Sequence, residues 1–325
     1  MAASDAPATF LELRTHFLEA LKEVTGVSAV NTIVNRYINL GLQTMHQEDW
    51  PWAERQAVIL THDNYTTGTA DIALATRTTV TGTGTLWNTA VTGMGFNNTR
   101  AGGKLTFAGA SDVYEVTSVA SDTSLTLVDR FIGAAALVGA AYEYFEDEYA
   151  LASDYWRPIG EVALRYFDKD NTIEVLEPQD FYQRFGKNSA VGTPTHAAIV
   201  ERGPSGSVAL RPRVVLAPPP SALRIIPYRY YTTNLAVSAA GVGAANLSAD
   251  TDEPIVPLRW RMSVIYKGLE LWSRDRKDDA RAELYKRSYE DLRVAALHLI
   301  PGGDTRLRRY YEEKAAATGP VTAGR

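Results

Sequence analysis

Apolar residues return at helical spacing in four places along the chain. Phe10, Leu13, Phe17, Leu21 and Val24 form one stripe. The spacing predicts a helix over about 9–24, and Thr9 with Glu12 reads as a capping box at its start. After Gly26, Ser28 opens a second run, with Val30, Ile33, Tyr37, Leu40 and Thr44 again near a period of 3.6. The segment Trp50-Pro51-Trp52 stops it, because proline disfavours helical geometry in the residue before it. Two such helices joined by a short loop are expected to pack as an antiparallel pair, with the two indoles as core plugs. Near the other end, Leu258, Met262, Ile265, Leu269 and Trp272 predict a helix over about 258–272. Upstream of it, Asp252, Glu253, Pro254 and Pro257 suit the positive end of that helix. A last helix over about 279–300 follows, striped by Tyr285, Tyr289, Leu292, Ala296 and Leu299 and stopped by Pro301-Gly302-Gly303.

The pattern changes between these pairs. From about 66 to 148, Gly, Thr, Ala and Ser dominate, and short apolar runs at 78–80, 104–107, 113–119, 124–127 and 141–145 alternate with turns. This is expected to be a small all-β barrel or sandwich inserted in a loop of the surrounding fold. Further strands are expected at 161–164, 173–176, 197–200, 207–210, 214–216 and 223–230, with a short helix in Glu177-Pro178-Gln179-Asp180-Phe181-Tyr182-Gln183-Arg184-Phe185. The expected fold class is therefore α+β: a helical-bundle core with β-sheet elements and an inserted all-β domain. The expected divisions are an adaptor-like core at 1–65 and 149–303, an inserted domain at 66–148 and a tail at 304–325.

A 325-residue chain with 45% hydrophobic residues can bury one substantial core or two. Cysteine is absent, which excludes disulfides, thiolate metal sites and cysteine nucleophiles, and accords with folding in a reducing cytosol. The opening residues lack a basic-then-apolar order, and no stretch approaches the length of a membrane span, so neither secretion nor membrane insertion is expected. Charge is uneven. Residues 259–309 hold 13 Lys and Arg against 8 Asp and Glu, which leaves −10 on the rest of a chain whose net charge is −5. Such a basic stretch is either a solvated face laced with i,i+4 pairs, as around Asp279, Glu283 and Arg287, or a surface toward an acidic partner or passing DNA.

Candidate chemistry is sparse. His16, His46, His62, His196 and His298 begin no metal-ligand motif. Gly82-Thr83-Gly84-Thr85 lacks the Gly-Lys and the strand-to-helix setting of a phosphate loop and reads as a turn. Gly203-Pro204-Ser205-Gly206 lacks the spacing of a nucleophile elbow. Asp250, Asp252 and Glu253 could hold calcium, but without an EF-hand glycine or closing glutamate they read as acids preceding a helix. No enzymatic activity, cofactor or metal is expected.

Several segments nevertheless carry a resemblance: the opening helical pair with its Trp50-Pro51-Trp52 end, YALASDY at 149–155, EPQDFYQRFG at 177–186 followed by GTPTHAAIV at 192–200, LRIIPYRYYTTNL at 223–235, and DEPIVPLRW at 252–260. In order and character they resemble the adaptor proteins that sit below the portal in tailed bacteriophages. The resemblance implies a structural virion protein of the neck, made in the host cytoplasm. Further copies of itself, about twelve to a ring, would extend the portal channel and receive a tail nozzle or tail tube protein. DNA would pass through without sequence-specific contact, and the β insertion, which not all relatives carry, could face outward toward tail fibres. It also gives the C-terminal segment a role in gripping the portal, with Arg308, Arg309, Tyr310 and Tyr311 as anchors. That segment is too small and polar to build a core and is expected to order only on binding. Two other classes stay open: a tail tube or terminator subunit, which would be dominated by β-sheet, and a carbohydrate-binding virion protein using Trp87 and Phe96.

Overall fold

The computed structural model describes residues 6–22, 28–110, 112–159, 164–165, 172–186, 190–202 and 211–299. The chain opens with α1 (Phe10–Leu21) and α2 (Ser28–His46), then a short 3-10 turn over Pro51–Ala53. Strand β1 (Glu54–Leu60) follows, and then β2 (Thr69–Ile72), β3 (Thr79–Thr83), β4 (Lys104–Phe107), β5 (Val113–Ser121), β6 (Ser124–Leu127), β7 (Leu137–Ala140) and β8 (Tyr142–Phe145). Next come β9 (Glu148–Ala150), β10 (Tyr155–Pro158), β11 (Leu164–Arg165), β12 (Thr172–Leu176), α3 (Pro178–Phe185), β13 (His196–Arg202), β14 (Arg211–Ala217) and β15 (Ile225–Thr232). Three two-residue strands, β16 (Ala236–Val237), β17 (Gly243–Ala244) and β18 (Glu253–Pro254), precede a 3-10 turn over Leu258–Trp260, α4 (Met262–Asp275) and α5 (Asp279–Leu299).

The expected helical-bundle core is overturned. The described residues are mainly β-sheet, with 18 strands against five α-helices. The helices dominate the sequence pattern because each is long enough to show its period, whereas strands of two to five residues are too short to display alternation. Thus β2, β7, β9, β10 and β16 to β18 had no expected counterpart, and neither did β1, although it is seven residues long. The expected strand at 207–210 lies outside the described residues, as do positions 161–163.

The chain divides into two compact units, one from Met1–Glu54 and Tyr231–Arg325, the other from Arg55–Tyr230. In the first, α2 and α5 each lie along α4, and α1 packs on α2 and α4. The buried side of α2 is Val34, Tyr37, Ile38, Gly41, Leu42 and Met45. The expected stripe was thus one register away, and its Ile33 and Leu40 are exposed. The reason is Gly41, which presents no side chain and so gives no apolar signal. A Cβ there would come 2.8 Å from the Gly268 nitrogen and 2.9 Å from the Val264 carbonyl oxygen of α4. Two glycines therefore let these helix backbones approach closely. Leu258 is 39% exposed and belongs to the 3-10 turn, and Leu299 is 64% exposed at the end of α5.

In the second unit, β2 to β8 form a seven-stranded sheet in the order β7-β2-β3-β6-β5-β4-β8. Its edge strands β7 and β8 are separated in sequence by Ala141 alone, so the chain from Leu137 to Phe145 pairs first with β2 and then with β4, and the sheet must curl. Ile72, Val80, Trp87, Leu105, Val116, Leu125 and Tyr144 fill the interior. Trp87 is fully buried and its Nε1 donates to the Tyr142 hydroxyl at 2.9 Å, so it offers no face for stacking on a sugar.

A five-stranded sheet, β11-β12-β13-β14-β9, is covered on both sides. Ala197, Val214 and Leu216 join one buried cluster with Ile173, Tyr149, Tyr228 and Tyr230. The alternate positions Ala198, Val215 and Ala217 join another with Phe181 of α3. That two-sided burial explains why Val214-Val215-Leu216-Ala217 is apolar at every position.

Candidate functional site

Arg308, Arg309, Tyr310 and Tyr311 lie outside the described residues, as does Gly203-Pro204-Ser205-Gly206. Two polar constructions are within them, one in each unit.

The first is built on DEPIVPLRW. The first turn of an α-helix leaves N–H groups without helical partners. In α1, the Phe10 N–H donates to the Asp252 carbonyl at 2.8 Å and the Leu11 N–H to the Asp250 carbonyl at 3.1 Å. Thr9 accepts from the Glu12 N–H, as a capping box requires, but the Glu12 carboxylate takes the Ala8 N–H, one residue earlier than the expected partner. The Asp252 side chain holds the 248–252 loop in shape: its Oδ2 accepts from the Ser248 N–H at 2.8 Å, the Ala249 N–H at 2.8 Å and the Ser248 hydroxyl at 3.1 Å. Those N–H groups lower the Asp252 carboxyl below its ordinary value. Asp250 pairs with Arg14 at 2.8 Å, and Glu253 with Arg261 at 2.9 Å. Arg261 is 7% exposed and also donates to the carbonyls of Val256, Pro254 and Ala8. The three acids thus serve α1, its supporting loop and two arginines, Arg14 and Arg261. Their expected role at the start of α4 is corrected, and each carboxylate is already engaged by protein groups.

The second construction is the run Glu146-Asp147-Glu148 at the junction of β8 and β9, where three consecutive acids meet three different bases. Glu146, 3% exposed, takes Arg100 through both oxygens, at 2.7 and 2.5 Å, and the Tyr144 hydroxyl at 2.6 Å. Asp147 pairs with Lys104 at 2.5 Å and Glu148 with Arg213 at 2.6 Å. Burial, reinforced by the Glu146 charge, raises the pKa of the Tyr144 and Tyr149 hydroxyls, which therefore remain neutral donors. The alternation of the strand sends Glu146 and Glu148 to a cavity of about 320 Å³ with Arg100, Arg213 and Tyr149, while Asp147 lines a second cavity of about 320 Å³.

That second cavity combines charge and rings. Asp112, Glu115, Asp129 and Asp147 stand with Lys104 on one part of its wall, and Phe181, Tyr182 and Phe185 of α3 on another. Phe181 and Phe185 lie 5.3 Å apart between centroids, and the Tyr182 ring is 40% exposed. The carboxylates of Asp112 and Asp129 have no hydrogen-bond or ion-pair partner among the described residues. Sequence reasoning missed this site. The only local signal was a triplet of acids between Phe145 and Tyr149, and the partners come from strands and a helix distant in sequence.

The basic C-terminal stretch is largely self-neutralised. Buried Glu270 holds Lys267 at 2.9 Å and Arg274 at 2.7 Å, Glu283 stands near Lys286 and Arg287, and Arg293 reaches Glu48 at 2.8 Å and Glu290 at 3.2 Å. No cluster of three or more metal-ligating side chains occurs among the described residues, and no helix among them is long and apolar enough to cross a membrane. Comparison with protein-family models returns no match, and comparison with curated proteins returns none either.

Proposed function

We propose that the chain is a structural subunit of a phage neck, a head-to-tail adaptor whose copies form a ring below the portal, extend the DNA channel and receive the tail. One observation carries the reading. The opening helical pair and the DEPIVPLRW segment with its following helices, which hold much of the resemblance, build a single unit through contacts as far apart as Arg14 and Asp250, 236 positions along the chain. The two constructions above favour a framework over a reaction centre: most of their buried charges are matched by a charge of the same unit, as in a scaffold that must hold its form. Arg308, Arg309, Tyr310 and Tyr311 are the proposed portal anchors, and the curled sheet is the proposed outward-facing part.

The test is co-expression with a tailed-phage portal protein, followed by electron microscopy of the purified particles. The full chain should add a ring to the portal, and a chain ended after Gly303 should fold and fail to attach. Absence of any ring on the portal at saturating concentration overturns the adaptor reading. Normal attachment by the shortened chain overturns the anchoring role alone.

A second reading, a tail tube or terminator subunit, is favoured by the predominance of β-sheet. It requires the purified chain to form tubes, or to cap them, without a portal.

A further inference from the structure

The geometry points to the cavity walled by Asp112, Asp129, Phe185 and Tyr182 as the seat for the Arg308–Tyr311 segment of a second copy of this chain. The site has what an arginine-tyrosine segment needs. Asp112 and Asp129 are carboxylates without partners among the described residues, and a guanidinium can bind such groups by charge-assisted hydrogen bonds. Phe185 and Tyr182 supply ring faces on which a guanidinium or a tyrosine can stack. Four carboxylates against one lysine leave the wall acidic, and Lys104 is already held by Asp147.

The occupant is argued from the chain itself. Residues 304–311, Asp-Thr-Arg-Leu-Arg-Arg-Tyr-Tyr, carry three arginines and two tyrosines, so charge and ring content both complement the cavity. Arg308 stands nine positions beyond Leu299, the last residue of α5, a reach of up to about 30 Å. Contacts of this size, with exposed carboxylates, give a weak and reversible association. The inference concerns self-association of the free protein; it uses the same residues as the proposed portal anchor, so the two engagements compete for one segment.

The experiment is sedimentation of the full-length protein over a concentration series, with a charge-swapped pair. One variant carries Asp112→Arg and Asp129→Arg, the other Arg308→Asp and Arg309→Asp. The parent chain should associate in a concentration-dependent way. Each variant alone should associate at least about tenfold more weakly, the equivalent of one charge-assisted hydrogen bond, and an equimolar mixture of the two should recover it, because each then offers the other a matching site. Tyr182→Ala should weaken association while leaving the circular dichroism unchanged. A parent chain that shows no association, or a mixture that associates no better than either variant alone, overturns the proposal. Portal attachment measured on the Asp112→Arg, Asp129→Arg chain, whose tail is intact, separates failure of this site from failure of the adaptor reading.

Discussion

Replacing Gly268 by alanine tests the close approach of α2 and α4. A Cβ at Gly268 would stand 2.9 Å from the Tyr37 carbonyl oxygen and 3.0 Å from Cε2 of Phe17. Ordinary contact needs about 3.5 Å, so α4 must retreat by about half an ångström or push on Phe17, which is fully buried and has nowhere to go. Overpacking of this kind costs about 1–3 kcal/mol. Against it stands the helix preference of alanine over glycine, about 1 kcal/mol. The balance is a net loss of up to about 2 kcal/mol, or a fall of up to roughly 8 °C in Tm for a unit of this size. Gly41→Ala meets the same backbone from the other side, at 2.8 Å from the Gly268 nitrogen. The two losses should therefore not add, since one retreat of the helices relieves both. Urea unfolding followed by far-ultraviolet circular dichroism gives the midpoints of both variants and of the double variant. Single variants at least as stable as the parent would refute the close-approach argument and leave helix preference in control.

Arg261→Met should cost about 2–3 kcal/mol in a urea titration, because the carbonyls of Val256, Pro254 and Ala8 lose their donor where α1 meets the loop; an unchanged midpoint would show that water replaces it. Asp252 has a folded carboxyl held below the usual value, so its contribution is complete above the unfolded value of about 4 and is lost as pH falls through the folded one. Asp252→Asn should accordingly flatten the acid limb of stability measured from pH 7 to 2, and an unaltered limb would contradict the assignment. Burial pushes the Tyr155 hydroxyl up to about 12, and that hydroxyl is buried without a hydrogen-bond partner among the described residues. Tyr155→Phe should therefore leave stability equal or raise it by about 1 kcal/mol, and a clear loss of stability would reveal a partner for the hydroxyl.

What the sequence determined alone was local. Helix starts and stops at Thr9, Ser28, Pro178 and Asp279 follow from capping, proline geometry and 3.6-residue periodicity, which act within one turn of chain, and each agrees with the structure to within a few residues. Strands such as Lys104–Phe107 and Ser124–Leu127 were legible for the same reason, being bounded by glycine and polar turns. Tertiary structure decided the rest. The buried side of α2 depends on Gly41 facing Gly268, a contact made by the absence of side chains and so invisible to a hydrophobic pattern. The acids at 250–253 precede α4 in sequence, yet Asp250 and Asp252 supply carbonyls to α1, because a helix end takes whichever acceptors the fold brings to it. Glu146, Asp147 and Glu148 are neighbours in the chain, but their division among Arg100, Lys104 and Arg213 needs strand alternation and three segments distant in sequence. Electrostatic pairing at a distance leaves no trace in a local pattern, which is why the helix ends were readable and the acidic cavity was not.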